Sequence, residues 1–242
     1  MNVMELLAVV FGSSAAAGVV QALTGFGAGI VQMLFFPMLV PILSASSLSG
    51  AISLMLAVGM AWQYRKHIRK ELLIAPAVFY ALASALVLSL ADLIDTTVML
   101  KIFGAFLIVL SVYFLFFSGK IRVKANVTTA AVCATISGIV GGLFGIGGPP
   151  MVIYYLSAME DKREYLGTIQ AFFCFTNVYT LIVRLIKGYY TADLLLPTAV
   201  GIAAILLGQL IGGKIQAKIS GDTMRKLVYA FLGVTGVINL LK

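Results

Sequence analysis

The sequence predicts an all-α integral membrane protein made of two inverted repeats, each with about five hydrophobic segments. Three observations lead there. Composition comes first: of 242 residues, 61% are hydrophobic and 11% charged, and the mean hydropathy is +1.07. A water-soluble domain carries about 25% charged residues to solvate its surface. Charge placement is second. No charged residue occurs from Leu6 to Tyr64, from Ala125 to Met159 or from Tyr165 to Val183. A membrane helix needs about 20 apolar residues, so the first run alone exceeds two spans. Third, the chain repeats itself. Gly18 to Phe26 reads GVVQALTGF and Gly138 to Ile146 reads GIVGGLFGI; Ser49 to Ser53 resembles Leu166 to Gln170; and Lys101 to Val109 (KIFGAFLIV) resembles Lys226 to Val234 (KLVYAFLGV).

The repeat divides the chain into residues 1–118, a cytoplasmic linker 119–125 and residues 126–242. In the first half the apolar segments run Val3–Leu23, Gly29–Leu43, Ser46–Tyr64, Leu72–Ala91 and Thr96–Phe117. The second half gives Val127–Phe144, Pro149–Ser157, Tyr165–Ile186, Ala192–Ile215 and Thr223–Leu241. An odd number per half makes the second copy enter from the opposite side. Short basic loops mark the cytoplasmic face, which assigns Arg65–Lys70, Lys120–Lys124 and Lys214–Lys226 to it and places Asp92 and Asp95 outside. Both termini then lie outside the cytoplasm. The start of the chain lacks a basic signal-peptide region, so its first segment is expected to belong to the mature protein.

The first two segments of the second half cannot both be full spans. The 35 uncharged residues Ala125–Met159 reach about 50 Å as a helix, too little for two crossings of a core of about 30 Å with a turn between them. The pair reads as a hairpin, and each half carries a glycine cluster at the hairpin tip: Thr24-Gly25-Phe26-Gly27-Ala28-Gly29 and Gly145-Ile146-Gly147-Gly148-Pro149-Pro150. Glycine breaks a helix and admits close approach to a ligand; Pro149 suits the first turn of a new one. Non-helical backbone at membrane depth is tolerated only where it is buried in protein or lines a cavity. The new helix starts offer free N–H groups to an anion, and the inverted halves bring the hairpins together near the membrane centre. Tight helix packing is the plainer use of such glycines, as for the Gly208-xxx-Gly212 spacing.

Polar side chains inside apolar segments are the remaining candidates: Gln21, Thr24, Gln32, Ser53, Gln63, Gln170 and Asn177. Lipid cannot satisfy them, so they should face the interior. Gln170 and Asn177 stand seven residues apart on one helix face. Arg184 lies two turns further on; it has the charge to attract an anion, but near a membrane end it is expected to snorkel. His67 sits in a basic loop and is expected to be solvated. Cys133 and Cys174 have no metal-ligand spacing and read as packing residues. The expected binding set is Gln21, Thr24, Gly25, Gly27, Gly145, Gly147, Gly148, Gln170 and Asn177. No catalytic residue and no metal site are expected: the apolar segments hold no Asp or Glu except at their edges, and a lone histidine cannot build a multi-His site.

GVVQALTGFGAG and GIVGGLFGIGGPP, with Gly167-Thr168 and then Asn177, resemble the TauE/SafE sulfite exporter family over nearly the whole chain. Thr24, Phe26 and Ala28 occupy places often held by glycine there, and Gln21 one where an acidic residue is common. The resemblance implies a secondary transporter in the cytoplasmic membrane, without enzymatic activity or a cofactor, that exports sulfite or a small organosulfonate. The alternative is an anion channel or a carrier of another small anion such as a carboxylate. The expected partners are that anion and the lipid bilayer; nucleic acid is excluded, since loop placement explains the net charge of +8, and a homo-oligomer is left open.

Overall fold

A computed structural model of the chain describes residues 3–117, 123–215, 233–234 and 236–241, the side chains of Thr24 and Ile215 excepted. Most of the expected linker, the greater part of the expected Thr223–Leu241 segment, and Lys120, Arg122, Lys218, Arg225 and Lys226 lie outside the described residues. Within them the chain is helical, with no strand.

The first half contains α1 (Val3–Thr24), α2 (Ala28–Phe35), α3 (Ile42–Gln63), α4 (Ile74–Leu90) and α5 (Thr96–Val112), the last continued by a π-helical turn over Tyr113–Phe117. The second half repeats the order with α6 (Val127–Phe144), α7 (Gly148–Ala158), α8 (Lys162–Ile186) and α9 (Leu195–Ile215). Among the described residues, seven helical segments are long and apolar enough to cross a bilayer, containing α1, α3, α4, α5, α6, α8 and α9. In each half the second helix is the short one. At about 1.5 Å per residue, the 18 residues of α6 come close to one hydrocarbon thickness, and the 11 of α7 cover about half of it.

Local chemistry explains the boundaries. Side-chain caps open three helices: Asp95 accepts from Thr97 N at 2.8 Å, Asn126 from Thr129 N at 2.9 Å and Asp161 from Arg163 N at 2.6 Å, satisfying first-turn donors that the helix leaves unpaired. The expected segment Gly29–Leu43 is shorter than the sequence suggested. Pro37 turns the end of α2 into a 3-10 turn over Phe36–Met38, and extended Pro41 starts α3 at Ile42 rather than Ser46.

The outer surface is apolar, and the polar side chains of the long helices turn toward an otherwise hydrophobic core. On α4, Ile74, Val78, Leu82 and Leu86 are exposed while Tyr80 and Ser84 are buried; on α8, Phe175, Val178 and Ile182 face out while Thr176, Thr180 and Arg184 face in. Such a surface suits lipid and would aggregate in water. Gln63 departs from the expectation: it ends α3 and is exposed. His67 departs too, being half-buried with its Nδ1 shut off from solvent.

Helix pairing relates the two halves. α1 runs along α9 and α4 along α6, both in parallel, whereas α3 crosses α8 antiparallel. The parallel contacts rest on small residues. A Cβ on Gly18 would stand 2.1 Å from Ile205 O, and one on Gly212 would stand 2.8 Å from Ala22 Cβ. On the other side, a Cβ on Gly138 would meet Tyr80 O at 2.6 Å, and one on Gly142 would meet Val87 Cγ1 at 2.8 Å. Gly138 follows Gly18 by 120 residues, and Ile205 follows Tyr80 by 125, so the same kind of contact is made twice with first and fourth helices exchanged.

Ion pairs gather at two opposite ends. At one, Arg69 bonds Glu71 and, at 3.1 Å, Glu164, and its N–H donates to Thr168 Oγ1. At the other, Lys187 meets Asp92 at 2.9 Å and Tyr189 donates to the same carboxylate. Partial burial and that carboxylate push the Tyr189 phenol up. α8 joins the two ends.

Candidate functional site: a cavity between two helix breaks

Both glycine clusters break the helix where the sequence places the break. Gly25, Gly27 and Gly145 adopt left-handed backbone, with φ of 80°, 103° and 68°, a region other residues enter at a cost. Gly147 has φ −81° and is held to glycine by space instead: a Cβ there would lie 2.8 Å from Ser137 O. The breaks touch each other, since a Cβ on Gly29 would lie 2.9 Å from Gly145 O.

Beside this contact is a cavity of about 60 Å³. A water needs about 10–15 Å³ of such space, so it holds a few waters or one small polyatomic ion. α8 provides one wall through Phe173, Thr176, Asn177, Thr180 and Arg184, a single stripe at helical spacing. Ser49, Gly50 and Ser53 of α3 face it, and the second break closes it through Gly145, Gly147 and Gly148.

Arg184 is the charged group of the cavity. It is 1% exposed, which corrects the snorkelling expected from its place near a helix end. Nη1 donates to Ser46 O at 3.0 Å; Nη2 donates to Gly141 O at 3.0 Å and Gly142 O at 2.8 Å. Those glycine carbonyls belong to the last turn of α6, where Gly141 O also accepts from Gly145 N at 3.0 Å, so the guanidinium sits at the negative end of that helix. Its Nε, also buried, has no partner among the described residues. None of the salt bridges found there gives Arg184 a carboxylate. A buried cation ordinarily needs a counter-charge, and among the described residues backbone dipoles take that place.

The remaining polar groups build the frame. Gln21 Oε1 accepts from Ala28 N at 3.0 Å, tying the end of α1 to the start of α2. Gln32, fully buried, donates to Ser14 Oγ at 3.2 Å and accepts from Ser49 Oγ at 2.8 Å and Ser53 Oγ at 3.0 Å, joining α1, α2 and α3. Gln170 Nε2 donates to Gly25 O at 2.8 Å, fixing the first break against α8. Ser137 Oγ donates to Gly147 O across the second.

Of the expected binding set, Gln21, Gly145, Gly147, Gly148 and Asn177 line the cavity. Gly25, Gly27 and Gln170 shape the first break away from its wall, and the Thr24 side chain lies outside the described residues. Pro149 and Pro150 at the start of α7 remove two N–H donors, so that helix end offers an anion less than the sequence suggested. Arg184 is the group sequence reasoning undervalued. The signal was present, because 170, 177 and 184 form one seven-residue series on one face of α8.

A multi-pass helical protein with two broken helices meeting at a buried polar cavity has the build of a membrane transporter. The chain belongs to the TauE/SafE family: the sequence model described as Sulfite exporter TauE/SafE matches residues 10–238. A Methanocaldococcus jannaschii protein named "Probable membrane transporter protein MJ0441" is 29% identical over 160 residues, 62% of this chain and 60% of that protein. The matched region thus spans less than two thirds of that relative. No solved structure matches.

Proposed function

We propose that this transporter, which is not an enzyme, carries a small anion, sulfite or a small organosulfonate, out across the cytoplasmic membrane by alternating access. The observation that carries the reading is Arg184: a guanidinium 1% exposed, without a carboxylate partner among the described residues, in the lining of a cavity between two helix breaks. Intramembrane charges of this kind mark transport paths. Gly50 leaves room at the guanidinium, since a Cβ there would stand 3.4 Å from Arg184 Nη1 and 3.8 Å from Asn177 Oδ1. The exchanged pairing α1–α9 and α4–α6 supports an inverted repeat, the architecture in which one half rocks against the other around a fixed site.

The test is counterflow of labelled sulfite in proteoliposomes. Arg184→Gln is expected to abolish it while the protein still inserts and stays monodisperse. Wild-type rates in that variant would sink the assignment. A rate unaffected by unlabelled anion on the opposite side would point to a channel.

A further inference from the structure

The charge inventory of the cavity is unusually simple, and it bears on the ionic form of the substrate. Each glycine break sets a helix C-terminus beside a helix N-terminus: α1 against α2, and α6 against α7. Helix ends carry about half a charge each, negative at the C-terminus and positive at the N-terminus. At both breaks these partial charges offset one another. What remains is at most the single charge of Arg184, part of it offset by the three carbonyls its Nη atoms bind.

No other described side chain alters that sum. Among the cavity's lining residues the titratable groups are Tyr80 of α4 and Arg184 of α8; α1 adds the neutral Gln21, and α2, α3, α6 and α7 add none. The neighbouring phenols are turned elsewhere: Tyr155 donates to Leu72 O and Tyr179 to Ala81 O. Lys187, three residues beyond Arg184, is held by Asp92.

We infer that the cavity selects by charge, accepting monovalent anions and rejecting divalent ones of similar size. This rests on the reading of the cavity as the substrate site. A monoanion beside Arg184 leaves a neutral buried complex. A dianion leaves one uncompensated negative charge in a space too small to keep its hydration, and uncompensated buried charge is strongly unfavourable. The transported form of sulfite is then hydrogensulfite, and a simple alkanesulfonate, singly charged at any working pH, needs no protonation.

The experiment uses the purified full chain with three probes: methanesulfonate, a fixed monoanion; sulfate, a fixed dianion of similar size; and sulfite, which changes between the two near neutral pH. Binding is read by thermal shift and by counterflow. Methanesulfonate is expected to bind equally from mildly acidic to mildly alkaline pH. Sulfate should bind about a hundredfold more weakly, or beyond detection. Sulfite affinity should fall as pH rises through its second ionisation.

Three variants separate the possible failures. Arg184→Gln should lose methanesulfonate; if that variant is folded and binds like wild type, the site reading itself is wrong. Arg184→Lys should keep the monoanion preference at lower affinity, which a merely structural arginine would not do. Asn177→Lys adds a second charge and should shift preference toward sulfate about tenfold or more. Sulfate binding as tight as methanesulfonate in wild type, with both lost in Arg184→Gln, overturns the charge rule and leaves the site standing. A wild-type protein that binds none of the probes overturns both.

Discussion

The side chains that matter most are those whose hydrogen bonds end on other helices. Gln32 is one: fully buried, it serves Ser14, Ser49 and Ser53 from a single amide. In Gln32→Leu the three hydroxyls lose that partner, yet serines in helices can turn to the carbonyl of their own preceding turn. The expected loss is therefore modest, about 1 kcal/mol, seen as a small drop in thermal unfolding in detergent. A loss several times larger would mean that the amide is the main tie among the first three helices. Arg184 differs in kind, because its carbonyl partners cannot rearrange and its charge has no substitute. The sequence revealed that Arg184 follows Asn177 at the right spacing. It could not reveal that α3 and α6 cover the end of α8, since burial there depends on contacts 138 and 42 residues away in the chain. Position near a helix end suggested solvent; tertiary packing decided otherwise.

Among elements, the glycines separate into two groups by what surrounds them. Gly208 lies where a Cβ would stand 2.0 Å from Ala15 O, a backbone atom that cannot step aside, whereas Gly12 has nothing within 4 Å. Gly208→Ala should destabilise by about 1–3 kcal/mol through forced separation of α1 and α9. Gly12→Ala, in the same helix pair, should be neutral or stabilise by up to about 1 kcal/mol through helix propensity. Equal unfolding temperatures for the two variants would defeat the packing account. Helix existence and order were legible in the sequence because long uncharged runs admit few alternatives in a bilayer. The two glycine clusters were legible as breaks for the same reason. Less legible was the division of labour between them. Gly25 contacts the Leu166 side chain and hydrogen-bonds Gln170, whereas Gly145 and Gly147 line the cavity. Similar motifs, 120 residues apart, meet different neighbours, and only the neighbours tell which of their glycines face the open space, Gly29 in the first and Gly145, Gly147 and Gly148 in the second.

At the scale of the whole molecule, the two charged ends give the transporter an orientation that can be tested. Arg69 and Glu164 share one end, Asp92 and Lys187 the other. Cysteine-accessibility labelling should find the first pair reachable from the cytoplasm and the second from outside, following the basic loop Arg65–Lys70. Labelling of Lys66 and Asp92 positions from one side would reverse the scheme. Orientation in turn bears on energy. Among the described residues the cavity lining contains no Asp, Glu or His, so none of them offers a carboxylate or imidazole there to carry a proton with the substrate. On the function proposed above, a monoanion neutralised by a fixed Arg184 would move one net charge per cycle when the empty protein resets. The membrane potential is worth about 2.3 kcal/mol per charge per 100 mV, close to a fifty-fold gradient for a monovalent ion. With the interior negative, it drives the anion outward. In proteoliposomes with an imposed potential and no pH gradient, methanesulfonate flux should follow the sign of the potential and reverse when it is reversed. Because methanesulfonate cannot take up a proton in the working range, this probe separates movement of the anion from movement of a protonated acid. Flux that ignored the potential and required a proton gradient would show that a proton crosses with the substrate by a route other than the residues lining this cavity.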